Sequence, residues 1–152
     1  MTITISKNIT DVLNGTIESI KAVLPIRVDI RQPQLFNSPF NQHTIGVLIG
    51  ITGDIKGRIV IDGEEEVFSK IGEVMFGMPL IGEMLESFAG ELGNMIAGNM
   101  STQIASNGLL VDITPPTVIV GHSKIFGFSK AIRLPIQIEQ VGELNIILMI
   151  EI

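Results

Sequence analysis

Cysteine, tryptophan and tyrosine are all missing from these 152 residues, and there are only two histidines, His43 and His122. Without Cys there is no disulfide, no thiolate nucleophile and no Cys-ligated zinc or iron–sulfur centre. Two imidazoles make a multi-histidine metal site only if a second chain contributes. Basic residues are scarce as well: 10 Lys and Arg stand against 16 Asp and Glu, a net charge of −6. A nucleic-acid surface needs a cationic stripe and aromatic stacking platforms; both are lacking, so no nucleic-acid partner is expected. Mean hydropathy is +0.47, which raises the question of a membrane. The longest stretch without Asp, Glu, Lys, Arg or His, Leu92–Val111, carries Asn94, Asn99, Gln103 and Asn107 among other polar groups, and is too polar to sit in lipid. Met1–Leu13 alternates polar and apolar residues, without the basic start and continuous apolar core of a signal peptide. The expectation is a cytoplasmic protein with no membrane partner, in keeping with the lack of Cys.

What the chain has in quantity is aliphatic side chains. At 45% hydrophobic it can bury a sizeable core, which excludes a disordered chain. No low-complexity segment or linker interrupts it, so residues 1–152 are expected to form one domain.

Asn8–Leu24 spaces Ile9, Val12, Leu13, Ile17, Ile20 and Val23 as a helix does, and Pro25 ends it. Ile26–Ile30 alternates as a strand. Gln32–Gln42, with two prolines and two asparagines, reads as a loop. His43–Ile51 and Ile55–Asp62 are β-rich runs joined at Thr52-Gly53-Asp54, a hairpin. Glu64–Phe76 reads as a helix whose acidic start, Glu64-Glu65-Glu66, suits the helix dipole better than a metal. After Gly77-Met78-Pro79 a long helix is predicted from Ile81 to Asn107. Leu109–Ile113, Thr117–Gly121, Ala131–Glu139 and Glu143–Ile152 read as strands. Ile26–Gln34 echoes Leu109–Thr117 at five of nine positions, counting Ile26 against Leu109, and Val28 lies 83 residues before Val111. Each copy follows a helix and precedes a β-rich region. The fold class this implies is α+β, with duplicated helix–strand units whose helices pack on a mainly antiparallel sheet.

The long helix carries the chemistry. At about 100° per residue, Leu85, Phe88, Ala89, Leu92 and Ile96 share one face, and Ser87, Glu91, Asn94, Gly98 and Ser101 the opposite one. Glu91 and Asn94, three apart, point the same way. Gly90, Gly93 and Gly98 each weaken a helix by roughly 1 kcal/mol relative to Ala, and such a cost asks for a close approach, either of a partner or of the protein's own sheet. A carboxamide is no base, but it donates and accepts hydrogen bonds at once and can hold a water. A carboxylate can pair with a cation on a partner. The pair suits a protein that completes another protein's active site by positioning water.

Other features carry less. Gly50–Gly57 lacks the phosphate-loop pattern and lies between strands. Met75, Met78, Met84, Met95 and Met100 read as core filler, and His43 and His122 as residues at strand ends. Ser87 has no nucleophile elbow around it. Asp11 and Asn14, an acid and an amide at the same spacing in the first helix, are either a relic of a second site or an ordinary solvent-facing pair.

Glu91-Leu-Gly-Asn94, with Ser87 four residues upstream, resembles the Asp/Ser-x3-Glu-x2-Asn signature of the CheC/CheX/FliY family of chemotaxis phosphatases. Val111-Asp-Ile-Thr-Pro-Pro-Thr-Val118 and Gly50-Ile-Thr-Gly53 resemble further blocks of its CheX branch, in the same order, and the likeness runs from the first helix to the final strand. One clear copy of the motif is the pattern of that branch. The resemblance implies a CheC-like fold and removal of the aspartyl phosphate from a phosphorylated CheY-type response regulator. Asn94 would orient the attacking water and Glu91 would pair with the receiver's lysine. Ser87 and Gly98 would keep the helix face low for the partner. Mg²⁺ is expected in the receiver's site, and no cofactor in this chain. A homodimer that joins sheets is implied too, and the apolar C-terminal strand offers an edge for it. The competing reading is a non-catalytic CheC-like interaction or adaptor module of a flagellar switch or two-component pathway. A small-molecule-binding domain would need a lined pocket that the sequence does not reveal.

Overall fold

In a computed structural model, which describes residues 2–37, 39–128 and 130–150, the chain forms two repeats of helix, three short strands and a long hairpin. The first repeat is α1 (Thr2–Val23), β1 (Val28–Ile30), β2 (Gln34–Asn37), β3 (Phe40–Gln42), β4 (Ile45–Gly53) and β5 (Gly57–Gly63). A single helix, α2 (Glu65–Phe76), follows. The second repeat is α3 (Gly82–Ala105), β6 (Val111–Ile113), β7 (Thr117–Val120), β8 (Ser123–Ile125), β9 (Lys130–Ile138) and β10 (Gly142–Ile150). The 83-residue echo is thus the visible trace of a duplication: β1, β2 and β3 recur at that offset as β6, β7 and β8 with unchanged lengths. Among the described residues α2 alone has no counterpart.

The repeats exchange strands. The main antiparallel sheet runs β1-β9-β10-β5-β4-β6, with β2 also on β9 and β7 also on β4. The short strands of each repeat therefore pair with the long hairpin of the other. The hairpins meet along β5 and β10, where Ile61 opposes Ile146 and Ile59 opposes Leu148. β3 and β8 pair with one another as a small second sheet.

Side-chain alternation sorts the core into two layers. Ile45, Val47, Ile49 and Ile51 of β4, Ile59 and Ile61 of β5, and Leu144, Ile146 and Leu148 of β10 face the helices. Val60, Ala131, Ile147 and Met149 face the other way, where Phe40 covers them. α1 and α3 lie side by side. A Cβ on Gly15 would come 2.6 Å from Ile104 Cγ2, and Ser19 Oγ donates to the Ile96 carbonyl at 2.5 Å.

Three expectations need correction. Gln32–Gln42 is not simply a loop, because it contains β2 and β3; β8 was likewise not expected. Their partners lie some 80 or more residues away, as Gln34 opposite Arg133 and Phe40 opposite Ile125 show, so no local pattern marks them. α1 begins at Thr2 rather than Asn8, since the weak helix propensity of Thr and Ile is readily overridden. The C-terminal strand offers no edge: β10 is flanked by β9 and β5, and its run of apolar residues reflects burial on both faces. The expected end of that strand at Ile152 lies outside the described residues.

Candidate functional site

α3 buries Leu85, Phe88, Ala89, Leu92, Ile96, Met100 and Ile104, and so turns Ser87, Glu91, Asn94 and Gly98 outward. Glu91 and Ser87 are exposed and Asn94 is half-buried. Neither Glu91 nor Asn94 makes a side-chain hydrogen bond or ion pair among the described residues. An acid and an amide one turn apart thus stand unengaged on a rigid helix. The open stretch has limits. Beyond Gly98, Ser101 Oγ already reaches the Val111 carbonyl of β6 at 3.4 Å.

The three glycines divide by role. A Cβ on Gly93 would come 2.6 Å from Val47 Cγ1, and one on Gly90 3.0 Å from Val118 Cγ2. Those two let the helix settle on its own sheet. A Cβ on Gly98 would meet only Ile113 Cδ1, at 3.9 Å, so its smallness leaves the outer face low.

Contrary to expectation, the methionines do not all fill the core. Met100 is fully buried, whereas Met84 is 62% exposed, Met78 51% and Met95 36%. With Phe76, also 62% exposed, Met78 and Met84 line a groove of about 750 Å³ that continues onto Ser87 and Glu91. The groove is firmly built. Phe76 stacks edge-on against Phe88 with ring centres 5.6 Å apart. Gly77, left-handed at φ 79°, ends α2 by donating to the Glu73 carbonyl. Buried Leu80 fits against Gly72, and Ser69 Oγ donates to the Leu80 carbonyl at 2.8 Å. The spacing of Met84 to Glu91, seven residues on one stripe, was the signal available in the sequence.

The two other sequence blocks are scaffold. Gly50 of β4 donates its N–H to Thr114 Oγ1 at 2.8 Å and accepts from the Thr114 N–H at 2.9 Å. They meet through backbone pairing, and the second block also carries Val118, which packs under Gly90 of α3. The Glu64–Glu66 run opens α2, where the Glu65 N–H donates to Thr44 Oγ1 at 2.7 Å and Thr44 Oγ1 donates to Glu64. Asp11 is paired with Lys7 at 3.0 Å. At the offset that superposes the repeats, Glu91 and Asn94 correspond to Asn8 and Asp11, so Asp11 and Asn14 sit one turn out of register with the motif.

A polar contact that the sequence did not reveal lies on the sheet's far side. Asp62 is fully buried, accepts the His43 N–H at 2.7 Å, and meets His43 Nδ1. Burial pushes its carboxyl above the ordinary value, opposed by the His43 contacts and by Arg133. Among the described residues no three of His, Cys, Asp and Glu gather as they would around a metal ion. No helix there is long and apolar enough to cross a membrane.

A family model for the chemotaxis phosphatase CheX matches residues 45–129, which include Ser87, Glu91, Asn94 and Gly98. A relative from Thermotoga maritima, named CheY-P phosphatase CheX, is 35% identical over 135 residues, covering 86% of this chain and 87% of its own. A CheC-like superfamily protein from Shewanella sp. PV-4 superposes with a TM-score of 0.80 at 24% identity, covering 93% of this chain and 97% of that one. A CheX–CheY–BeF3–Mg²⁺ complex from Borrelia burgdorferi contains a chain that superposes at 0.77 with 22% identity, covering 95% and 97%. The helices and antiparallel sheet described above are the fold these structures share.

Proposed function

Since the chain belongs to the CheX family of chemotaxis phosphatases, we propose that it hydrolyses the aspartyl phosphate of a CheY-type response regulator and that α3 supplies the working face. The observation that carries this reading is the unengaged Glu91–Asn94 pair on the outward face of a buried, rigid helix. In the proposed reaction a water oxygen attacks phosphorus in line. The bond from phosphorus to the receiver's aspartate oxygen breaks, leaving a free carboxylate and inorganic phosphate. Such transfer asks little of a helper beyond positioning and electrostatics. Asn94 accepts a hydrogen bond from the water through its carbonyl oxygen and so fixes the attack direction. Glu91 pairs with the receiver's lysine and fixes the pose. The outward faces at Ser87 and Gly98 leave room for the receiver's backbone.

Mg²⁺ and the lysine belong to the receiver in this scheme. The solved complex of a relative with CheY, BeF3 and Mg²⁺ supports that division of labour. Residues 1–152 act as one domain. A homodimer that joins sheets would do so through the outer strands β1 and β2 or β6 and β7, because β10 is paired on both sides.

Release of phosphate from a panel of phosphorylated receivers tests the reading. Wild type is expected to accelerate it, and Asn94→Ala to lower turnover by about 10²-fold or more with receiver affinity retained, since an orienting amide acts chiefly in the transition state. Wild-type turnover in Asn94→Ala would overturn its role. Receiver binding with no acceleration by wild type would favour the adaptor reading.

A further inference from the structure

The duplication gives the molecule two equivalent outward helix faces, yet α2 occurs once and packs beside α3. On that side Phe76, Met78 and Met84 form an apolar groove, and the groove runs into Ser87 and Glu91. Apolar side chains anchored this firmly and left uncovered mark an interaction surface. We propose that this groove is the seat for an apolar side chain that the receiver presents beside its active-site lysine, so that Met78 and Met84 set which receivers dock. The inference rests on the phosphatase reading and adds a specificity element to it.

Three observations select this occupant. The groove and the proposed catalytic face share two residues, Ser87 and Glu91, so a protein placed over Asn94 covers the groove as well. Met84 lies two helical turns before Glu91, about 10 Å along the axis, a distance that one loop on a receiver spans. Glu83 and Glu91 rim the groove, and an acidic rim around an apolar floor favours an apolar side chain flanked by a cation. Among the described residues α1 is not preceded by a helix like α2, and there the acid and amide, Asp11 and Asn14, stand out of register.

The test is steady-state phosphate release with the double variant Met78→Gln/Met84→Gln, which removes apolarity at constant size and charge. For a receiver that wild type dephosphorylates, KM is expected to rise about tenfold with kcat within about twofold, the signature of lost docking. Leu35→Gln, exposed on β2 away from the groove, should leave both unchanged. Melting temperatures of all variants should match wild type. If wild type is active and the double variant keeps its KM, or loses kcat alone, the seat is wrong and the phosphatase reading stands. An equal rise in KM for Leu35→Gln would also overturn the seat. If wild type accelerates no receiver, both fall. A self-association of wild type in sedimentation that the double variant lacks would assign the groove to a second copy, and would overturn the receiver assignment.

Discussion

At the residue scale, Glu91 and Asn94 have different tasks and should fail differently. Glu91→Ala removes the anion that meets the receiver's lysine and leaves that lysine unpaired in the interface. Receiver affinity should weaken by about 2 kcal/mol or more, and turnover should fall with it. Calorimetry with a receiver carrying a phosphate mimic checks this; unchanged affinity would make Glu91 an ordinary solvated residue. Asp62 is a separate case, because its buried carboxyl is raised above 3.8. Between 3.8 and that raised value the native state holds a proton that the unfolded chain has already lost. Stability from this group falls as pH rises from 3.8 towards the raised value, and stays lost above it. Asp62→Asn keeps an acceptor for the His43 N–H and removes the titration. The stability difference between variant and wild type should therefore move in the variant's favour as pH rises through that window. Urea midpoints measured at a series of pH values would show it, and a difference independent of pH would refute it.

At the scale of the element, α3 must lie close to its own sheet on one side and stay low on the other. Gly93 serves the first need and Gly98 the second, so identical substitutions should part company. Gly93→Leu forces a side chain into Val47, 2.6 Å from the first added carbon, and should cost roughly 1–3 kcal/mol or prevent folding. Gly98→Leu meets only Ile113, at 3.9 Å, and gains helix propensity of up to about 1 kcal/mol. Its melting temperature should hold or rise while phosphatase activity is lost. A clear fall in melting temperature for Gly98→Leu would show that this face is not open to a partner. The helix also ends by design: Leu109 donates to the Ile104 carbonyl at 3.2 Å and Gly108 to Ala105 at 3.0 Å, with Gly108 left-handed at φ 85°.

At the scale of the molecule, the exchange of short strands makes each repeat incomplete by itself. Without the second repeat, β1 and β2 lose β9, and β5 loses β10. Cutting the chain between Gly77 and Met78 should give two fragments that are unfolded alone, because each exposes unpaired strands and half of a shared core. Mixed together, they should regain one cooperative thermal transition in circular dichroism. Cooperative folding of either fragment alone would contradict this. Pairings of such long sequence separation also make for slow folding compared with a helical bundle of the same size.

The sequence by itself determined those parts whose partners are close along the chain. The 3.6-residue period of Leu85, Phe88, Leu92 and Ile96 set α3 and its outward stripe, and alternation with a glycine turn set the β4–β5 hairpin. The echo of Val28 in Val111 disclosed the duplication, and Glu91 and Asn94 were legible because one helical turn places them together. Tertiary structure decided everything that depends on a distant neighbour. It made strands of Gln34–Asn37 and Ser123–Ile125, buried β10 between β9 and β5, and joined His43 to Asp62. It also decided what the exposed methionines meet. Periodicity puts Met84 on the outward stripe of Glu91, but only the packing of the elements brings Phe76 and Met78 beside it as a groove. Periodicity fixes which way a side chain points, but only the elements packed around it fix what it meets.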